Sequence, residues 1–262
     1  MENPNNEYLP KLPYIISVVS GKGGVGKSVI ASNLANQLSK SGMKVLVWDG
    51  DHDFPNLHLM FGVEPFVRAK DIFKKIELLE QGFHKINENL MLLADYPSDS
   101  IDEEINPESL VTIFKYLLLE GNFDFILIDT SAGVNELMLN YVNFSNSVMM
   151  IVNDEPSTLL DSYALSKILL NFISKDKIKI VVNNVIDSDD FEEIYNKLSL
   201  VTKKFLKIQF EAVGFIPYQR IIRKSILNQE LATNYKNEDI SFYFESLANY
   251  FINEYNVSEI II

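Results

Sequence analysis

The sequence predicts an α/β domain, a single doubly wound and mostly parallel sheet with helices on both faces. Three observations carry that expectation. Apolar runs rich in Val, Ile and Leu recur along the chain, and they are continuous rather than alternating, as in "YIISVV" and "FILID". Continuous runs mark strands covered on both faces. Stretches with helical spacing follow the runs almost from end to end, and strand–helix alternation builds parallel sheets through right-handed crossovers. A glycine-rich turn also stands between the first strand and the first helix, at the carboxyl end of a strand, where open α/β sheets bind ligands.

Taken in order, "YIISVVS" (14–20) is a buried strand, and the helix after the glycine-rich turn reaches about residue 41. "KVLVWDGD" (44–51) is the second strand, followed by a helix at about 69–80 and a strand at "LMLLADY" (90–96). A helix covers about 107–120, "FDFILIDT" (123–130) is a strand, and a helix spans about 134–144. "SVMMIVND" (147–154) leads to a helix at 157–174, and "KIKIVVNNV" (177–185) to one at 189–206. "FEAVGFIP" (210–217) is the last strand, with helices near 220–230 and 239–253 to finish. No repeat or low-complexity linker divides the chain. The expected organisation is a flexible segment over 1–12, one domain over 13–253 and a C-terminal tail over 254–262.

The 262 residues suffice for one sizeable core. No apolar run approaches the ~18 residues of a membrane span. The polar start "MENPNNEYLPKLP" has neither the basic nor the apolar region of a secretory signal, so the cytoplasm is the expected compartment. With no cysteine, disulfides, thiolate metal sites and cysteine nucleophiles are excluded. His52, His58 and His84 are scattered without zinc-site spacing and read as surface or partly buried side chains. The net charge of −13 argues against nucleic acid and anionic lipid as partners. The basic stretch Arg220–Lys224 reads as the solvated face of a helix.

Gly21–Ser28, "GKGGVGKS", fits the phosphate-loop pattern G-x-x-x-x-G-K-S/T, with an apolar strand before it and a helix after it. Its glycines let backbone N–H groups turn inward around phosphate oxygens, and the helix adds its positive N-terminal end. The expected nucleotide-binding stretch is Gly21, Lys22, Gly23, Gly24, Val25, Gly26, Lys27 and Ser28, with Val29 continuing into the helix. Lys27 belongs on the β/γ-phosphates and the Ser28 hydroxyl on Mg²⁺. Lys22 is a second cation in a loop that needs one. Its loop already wraps the nucleotide from one side, so Lys22 is better placed to reach a neighbour's γ-phosphate than its own.

With both lysines, "KGGVGKS" resembles the deviant phosphate loop of the MinD/ParA ATPases, and the resemblance covers about residues 13–250. It implies the P-loop NTPase fold, ATP and ADP as ligands, Mg²⁺ as cofactor, and a homodimer when ATP is bound. In that family the extra lysine crosses the dimer interface, so Lys22, Lys27 and Asp51 become the expected catalytic residues. Asp49 and Asp51, followed by Asn56-Leu57, resemble the first switch loop, in which Asp51 would position the attacking water and stand beside the metal. A calcium loop is rejected, because the sixth and twelfth positions from Asp49 hold Phe54 and Met60 rather than Gly and Glu. "FDFILIDTSAG" resembles the Walker B strand and second switch, with Asp129 on Mg²⁺ alongside Ser28 and Asp51. Asn183 matches the asparagine that reads adenine, and Pro217 in "GFIPYQ" matches the proline that packs on the base. Asp53 and Ser131 depart from the family pattern.

The segment "NDEPSTLLDSYALSKIL" (153–169) is similar to the flagellar-number branch, FlhG, also called FleN or YlxH. That branch implies slow Mg²⁺-dependent ATP hydrolysis, stimulated by a partner, in a switch that controls flagellar number or placement. Its partner would be a flagellar regulator or the GTPase FlhF, although the N-terminal Asp-Gln-Ala…Leu-Arg motif that stimulates FlhF is missing. The alternatives are a division-site or partition ATPase, or a nucleotide-binding interaction module with little turnover. The acidic C-terminal helix is expected to bury Phe242, Leu247, Phe251 and Ile252 against the sheet. Membrane contact by this tail, at the inner face of the cell membrane, stays open as the alternative.

Overall fold

In the computed structural model, which describes residues 11–95, 107–236 and 239–258, the apolar runs form one eight-stranded sheet. The elements are β1 (Tyr14–Val19), α1 (Lys27–Lys40), β2 (Val45–Gly50), α2 (Leu57–Phe61), α3 (Ala69–Lys74), α4 (Leu79–Gly82), β3 (Phe83–Lys85), β4 (Leu90–Leu93) and α5 (Pro107–Leu119). They continue with β5 (Phe125–Thr130), α6 (Glu136–Phe144), β6 (Ser147–Val152), α7 (Pro156–Leu169), β7 (Ile178–Val185), α8 (Ser188–Phe205), β8 (Glu211–Pro217), α9 (Arg220–Leu227) and α10 (Ile240–Ser258). The strand order is β3-β4-β2-β5-β1-β6-β7-β8. Every pairing is parallel except that of β3 with β4. β1 therefore sits at the centre, with the chain winding to one side through β2 and to the other through β6. That reversal is where a ligand crevice opens in such sheets.

The central strands β1, β2, β5 and β6 are buried along their whole length. Side chains alternate between two faces along each strand. One face, with Ile16, Val18, Val47 and Leu127, packs against Leu34 and Leu38 of α1 and Phe244 and Phe251 of α10. The other, with Leu46, Trp48 and Ile126, packs against Phe73 of α3 and Phe114 of α5. Val148 and Ile180 continue that second layer beneath Leu165 of α7 and Leu198 of α8. The N-termini of α6 and α8 are capped by Asn135 and Asp187, whose side chains accept backbone N–H groups of the first turn.

Some elements differ from the expectation for local reasons. The helix expected over 69–80 breaks at Lys75, whose backbone is extended, into α3, a 3-10 turn and α4. Of the strand expected over 90–96, Leu90–Leu93 form β4, 94–95 are not strand and residue 96 lies outside the described residues; the strand of 44–51 shortens to β2, and the helix of 157–174 ends at Leu169. The helix of 239–253 runs on to Ser258 because Tyr255 extends its buried stripe of Phe244, Leu247, Ala248 and Phe251. Phe242 lies off that stripe and is 67% exposed, which corrects the expectation that it is buried. Residues 1–10 of the expected N-terminal segment and 259–262 of the expected tail lie outside the described residues. Among the described residues no helix is long and apolar enough to cross a membrane.

Candidate functional site

The sheet register brings together residues far apart in the chain. Asp49 of β2 pairs with Asp129 of β5, and Asp129 pairs in turn with Val18 of β1. The carboxyl ends of three adjacent strands thus deliver the glycine-rich loop, the Asp49–Asp51 segment and the Asp129–Gly133 segment to one edge. A cavity of about 580 Å³ opens there, lined by Gly23, Gly24, Gly26, Lys27, Ser28, Val29 and Asp51 among the expected residues. Asp53, Phe54, Asn56, Met60, Ser131, Ala132 and Asn135 complete the lining.

The loop's shape depends on two glycines in particular. Gly26 has φ of 99°, in the left-handed region that favours glycine, as it turns into α1. Gly21 has no room for a side chain, because a Cβ there would lie 2.5 Å from the backbone carbon of Asp161 in α7. Lys27, the first residue of α1, is buried, with 8% exposure.

Asp129 is fully buried, and burial pushes its carboxyl up to about 6. The Lys27 ammonium and the Ser28 hydroxyl pull the other way, while Asp51 adds to the rise. Its Oδ1 has no hydrogen-bond partner. A buried carboxylate oxygen without a donor is expensive unless a cation completes it. Ser28 and Asp51 lie close enough to Asp129 to act on its carboxyl, so these three are the residues that would hold a magnesium ion here. Among the described residues no group of three or more His, Cys, Asp or Glu side chains could hold a metal alone.

Asp49 is equally buried but satisfied. Its Oδ2 accepts the backbone N–H groups of Asn56 and Leu57, both at 2.9 Å, and its Oδ1 accepts that of Asp51 at 3.3 Å. Burial and then Asp129 push its carboxyl well above the usual range against those three bonds. Asp49 thus folds the 51–56 loop back over the strand end and starts α2. Asp51 remains in the cavity, with Oδ1 accepting the Phe54 N–H at 3.1 Å.

Lys22 points away from this cavity. Its ammonium pairs with Glu155 and donates to the Ser157 hydroxyl at 3.1 Å, both at the start of α7. Asn183 donates from Nδ2 to the Val25 carbonyl at 2.7 Å, bracing the loop from the far side. Pro217 ends β8, buried beside Val185. Lys22, Gly21, Val25, Asn183, Pro217 and Asp129 all stand outside the cavity lining. Phe54, Met60 and Asn135 had no sequence signal as site residues. Asn135 was traceable only as a cap after Gly133, and it also donates to the Ser131 hydroxyl at 2.6 Å. His52, His58 and His84 are all partly buried, as expected, with the His52 side chain turned inward and 5% exposed.

Residues 16–232 match the CobQ/CobB/MinD/ParA nucleotide-binding domain. The chain belongs to that family. Within it, the chain is 27% identical to the antiactivator FleN of Pseudomonas aeruginosa over 225 residues, 82% of this chain and 77% of FleN. It is 29% identical to the flagellum site-determining protein YlxH of Helicobacter pylori, over 86% of this chain and 76% of YlxH. The septum site-determining protein MinD of Pyrococcus horikoshii, solved with Mg-ADP, superposes with a TM-score of 0.74 at 26% identity, over 92% of this chain and 96% of that one. The MinD/ParA membership accounts for the fold and for a site built to take a nucleotide.

Proposed function

We propose that this chain is an ATP-driven dimerising switch that controls the number or placement of flagella. The observation that carries the switch is the direction of Lys22. A cation in the phosphate loop that turns from its own cavity to an exposed carboxylate is spare within one subunit. It becomes useful when a second, ATP-loaded copy docks opposite and offers a γ-phosphate in place of Glu155. Lys27 then serves its own nucleotide, and Asp51 orients the water that attacks the γ-phosphorus as the bond to the bridging oxygen breaks and ADP leaves. Positioning of this kind is most of what a protein contributes to phosphoryl transfer. Bound Mg²⁺, held by Ser28, Asp51 and Asp129, would neutralise charge on the phosphate oxygens. Asn183 and Pro217 are assigned to the adenine. The flagellar task is supported by segment 153–169 and by the similarity to FleN and YlxH.

Asp51→Ala tests the switch. It should still bind ATP, with Ser28 and Asp129 left to hold Mg²⁺, and sediment as a dimer with Mg-ATP, because turnover no longer resets it. A variant that stays monomeric with ATP bound would refute the mechanism. A division-site role is the second reading, favoured by the likeness to MinD. Capture with Asp51→Ala and ATP separates the two readings by whether flagellar or division proteins are retained. Single-turnover hydrolysis separates both from a binding module without turnover.

A further inference from the structure

Directly behind Asp51 lies a buried polar chain that the nucleotide site does not use. The His52 ring turns inward from the switch loop. Its Nδ1 stands 2.7 Å from Asp95 Oδ2, just past β4, and its Nε2 3.0 Å from the Tyr141 hydroxyl of α6. All three side chains are almost wholly enclosed. Burial, with Asp49 and Asp95 adding to it, holds the Tyr141 phenol well above its ordinary range, so its O–H stays a donor. One tautomer of the ring satisfies both ends: Nδ1–H donates to Asp95, and Nε2 accepts from Tyr141.

The chain joins three separate elements. His52 follows Asp51 in the first switch. Asp95 also accepts the Lys70 N–H at 3.1 Å at the start of α3, and its backbone meets His58 of α2. Tyr141 belongs to the helix that follows the second switch, and its ring seats against Gly50, where a Cβ would come within 2.9 Å of it. A buried hydrogen-bond chain of this kind fixes one arrangement, because breaking any link leaves a polar group unpaired in a dry interior.

We propose that His52 is a positioning residue that couples the first switch loop to α6 through Asp95 and Tyr141, and so holds Asp51 toward the phosphate cavity. This rests on the nucleotide-switch reading above. It goes beyond that reading by making the two switches move together through a link on the far side of the sheet from α1.

The molecule carries its own reporter. Trp48 is the one tryptophan in the sequence, it is fully buried, and its ring lies 5.2 Å from that of Tyr141. In the full chain, Mg-ATP should change Trp48 emission. Tyr141→Phe, which removes one oxygen and keeps the packing, and His52→Leu should each cut that change by more than half while ATP affinity stays within about twofold. Under the same conditions kcat should fall about tenfold with KM little altered, as a misplaced reacting group requires. His52→Gln, whose amide offers one donor and one acceptor, should recover most of both signals. The double variant His52→Leu/Tyr141→Phe should be no worse than His52→Leu alone, because one chain is broken only once. If ATP binds and hydrolyses but Tyr141→Phe leaves the emission change and kcat untouched, the coupling is refuted and the switch reading stands. If wild-type protein binds no ATP, both fall. If it binds without turnover, the emission change alone decides the coupling.

Discussion

The two ends of the sheet handle buried charge in opposite ways. At the amino end of β7, Lys179 is enclosed, but its ammonium pairs with Glu211 at 2.7 Å and Glu254 at 3.6 Å. Burial lowers its basicity, but Glu211 and Tyr250 more than offset that, and the net shift is upward. Nearby, Tyr14 and Ser147 share a hydrogen bond at 2.7 Å. At the carboxyl end two aspartates are buried side by side, one has an oxygen without a partner, and both are pushed toward their neutral forms. A domain that pairs the buried charge at one edge of its sheet has no folding reason to leave the carboxylates at the other short of positive charge. The deficiency marks a place finished by a ligand, and each expected outcome below sharpens or breaks that contrast.

The largest effect should come from Lys27→Ala. Removing the buried cation at the deficient edge should lower ATP affinity and turnover by two or more orders of magnitude, the scale of losing one preorganised donor. Calorimetric titration with ATP checks it, and near-normal binding would place the nucleotide elsewhere.

Asp129→Asn should separate function from stability. The folded carboxyl keeps its proton up to about 6, whereas the unfolded one releases it near 3.8. The folded state therefore binds more protons in that window. Stability from this group is full below it, declines as pH rises through it and is level above. The asparagine variant without nucleotide should be more stable near neutral pH by about 1–3 kcal/mol, with a flatter profile between about pH 4 and 6. Its Mg²⁺-dependent nucleotide affinity should drop. Melts in urea across pH provide the test, and a variant less stable at neutral pH would mean that Asp129 is already satisfied.

The opposite edge should behave as plain scaffold. Lys179→Met should cost on the order of 1 kcal/mol, since its partners are half-exposed, and leave ATP affinity unchanged. A change in affinity would erase the distinction between the edges. The smallest stability effect belongs to Glu155→Gln. Its pair with Lys22 is exposed, so the melting point should shift by no more than about 0.5 kcal/mol in equivalent free energy. By releasing Lys22 it should nevertheless promote dimers at lower ATP, read by sedimentation.

What the sequence disclosed follows from how locally each feature is encoded. The central strands were legible because burial on both faces leaves an unbroken apolar run, and the phosphate loop because its spacing is contiguous. β3 was not, since two half-covered residues and an exposed lysine at an edge carry no such run. Asp49 and Asp51 could be seen as a pair, but nothing local says that one folds the loop while the other faces the cavity. The partners of Lys22, of Asn183 and of His52 lie 43 to 158 positions away, so only the folded sheet introduces them. Phe242 was misjudged because apolar character does not say which side of a helix a residue occupies.

The absent side chain at Gly21 has a consequence for how such a molecule can change over generations. The backbone of α7 occupies the space that even a methyl would need, so any other residue at that position must displace a helix of fourteen residues. Its neighbour Lys22 reaches only exposed groups and could be exchanged without disturbing the architecture. A lineage can thus shed this lysine in one step and remain folded, whereas the cradle beneath it is fixed by the helix that leans on it.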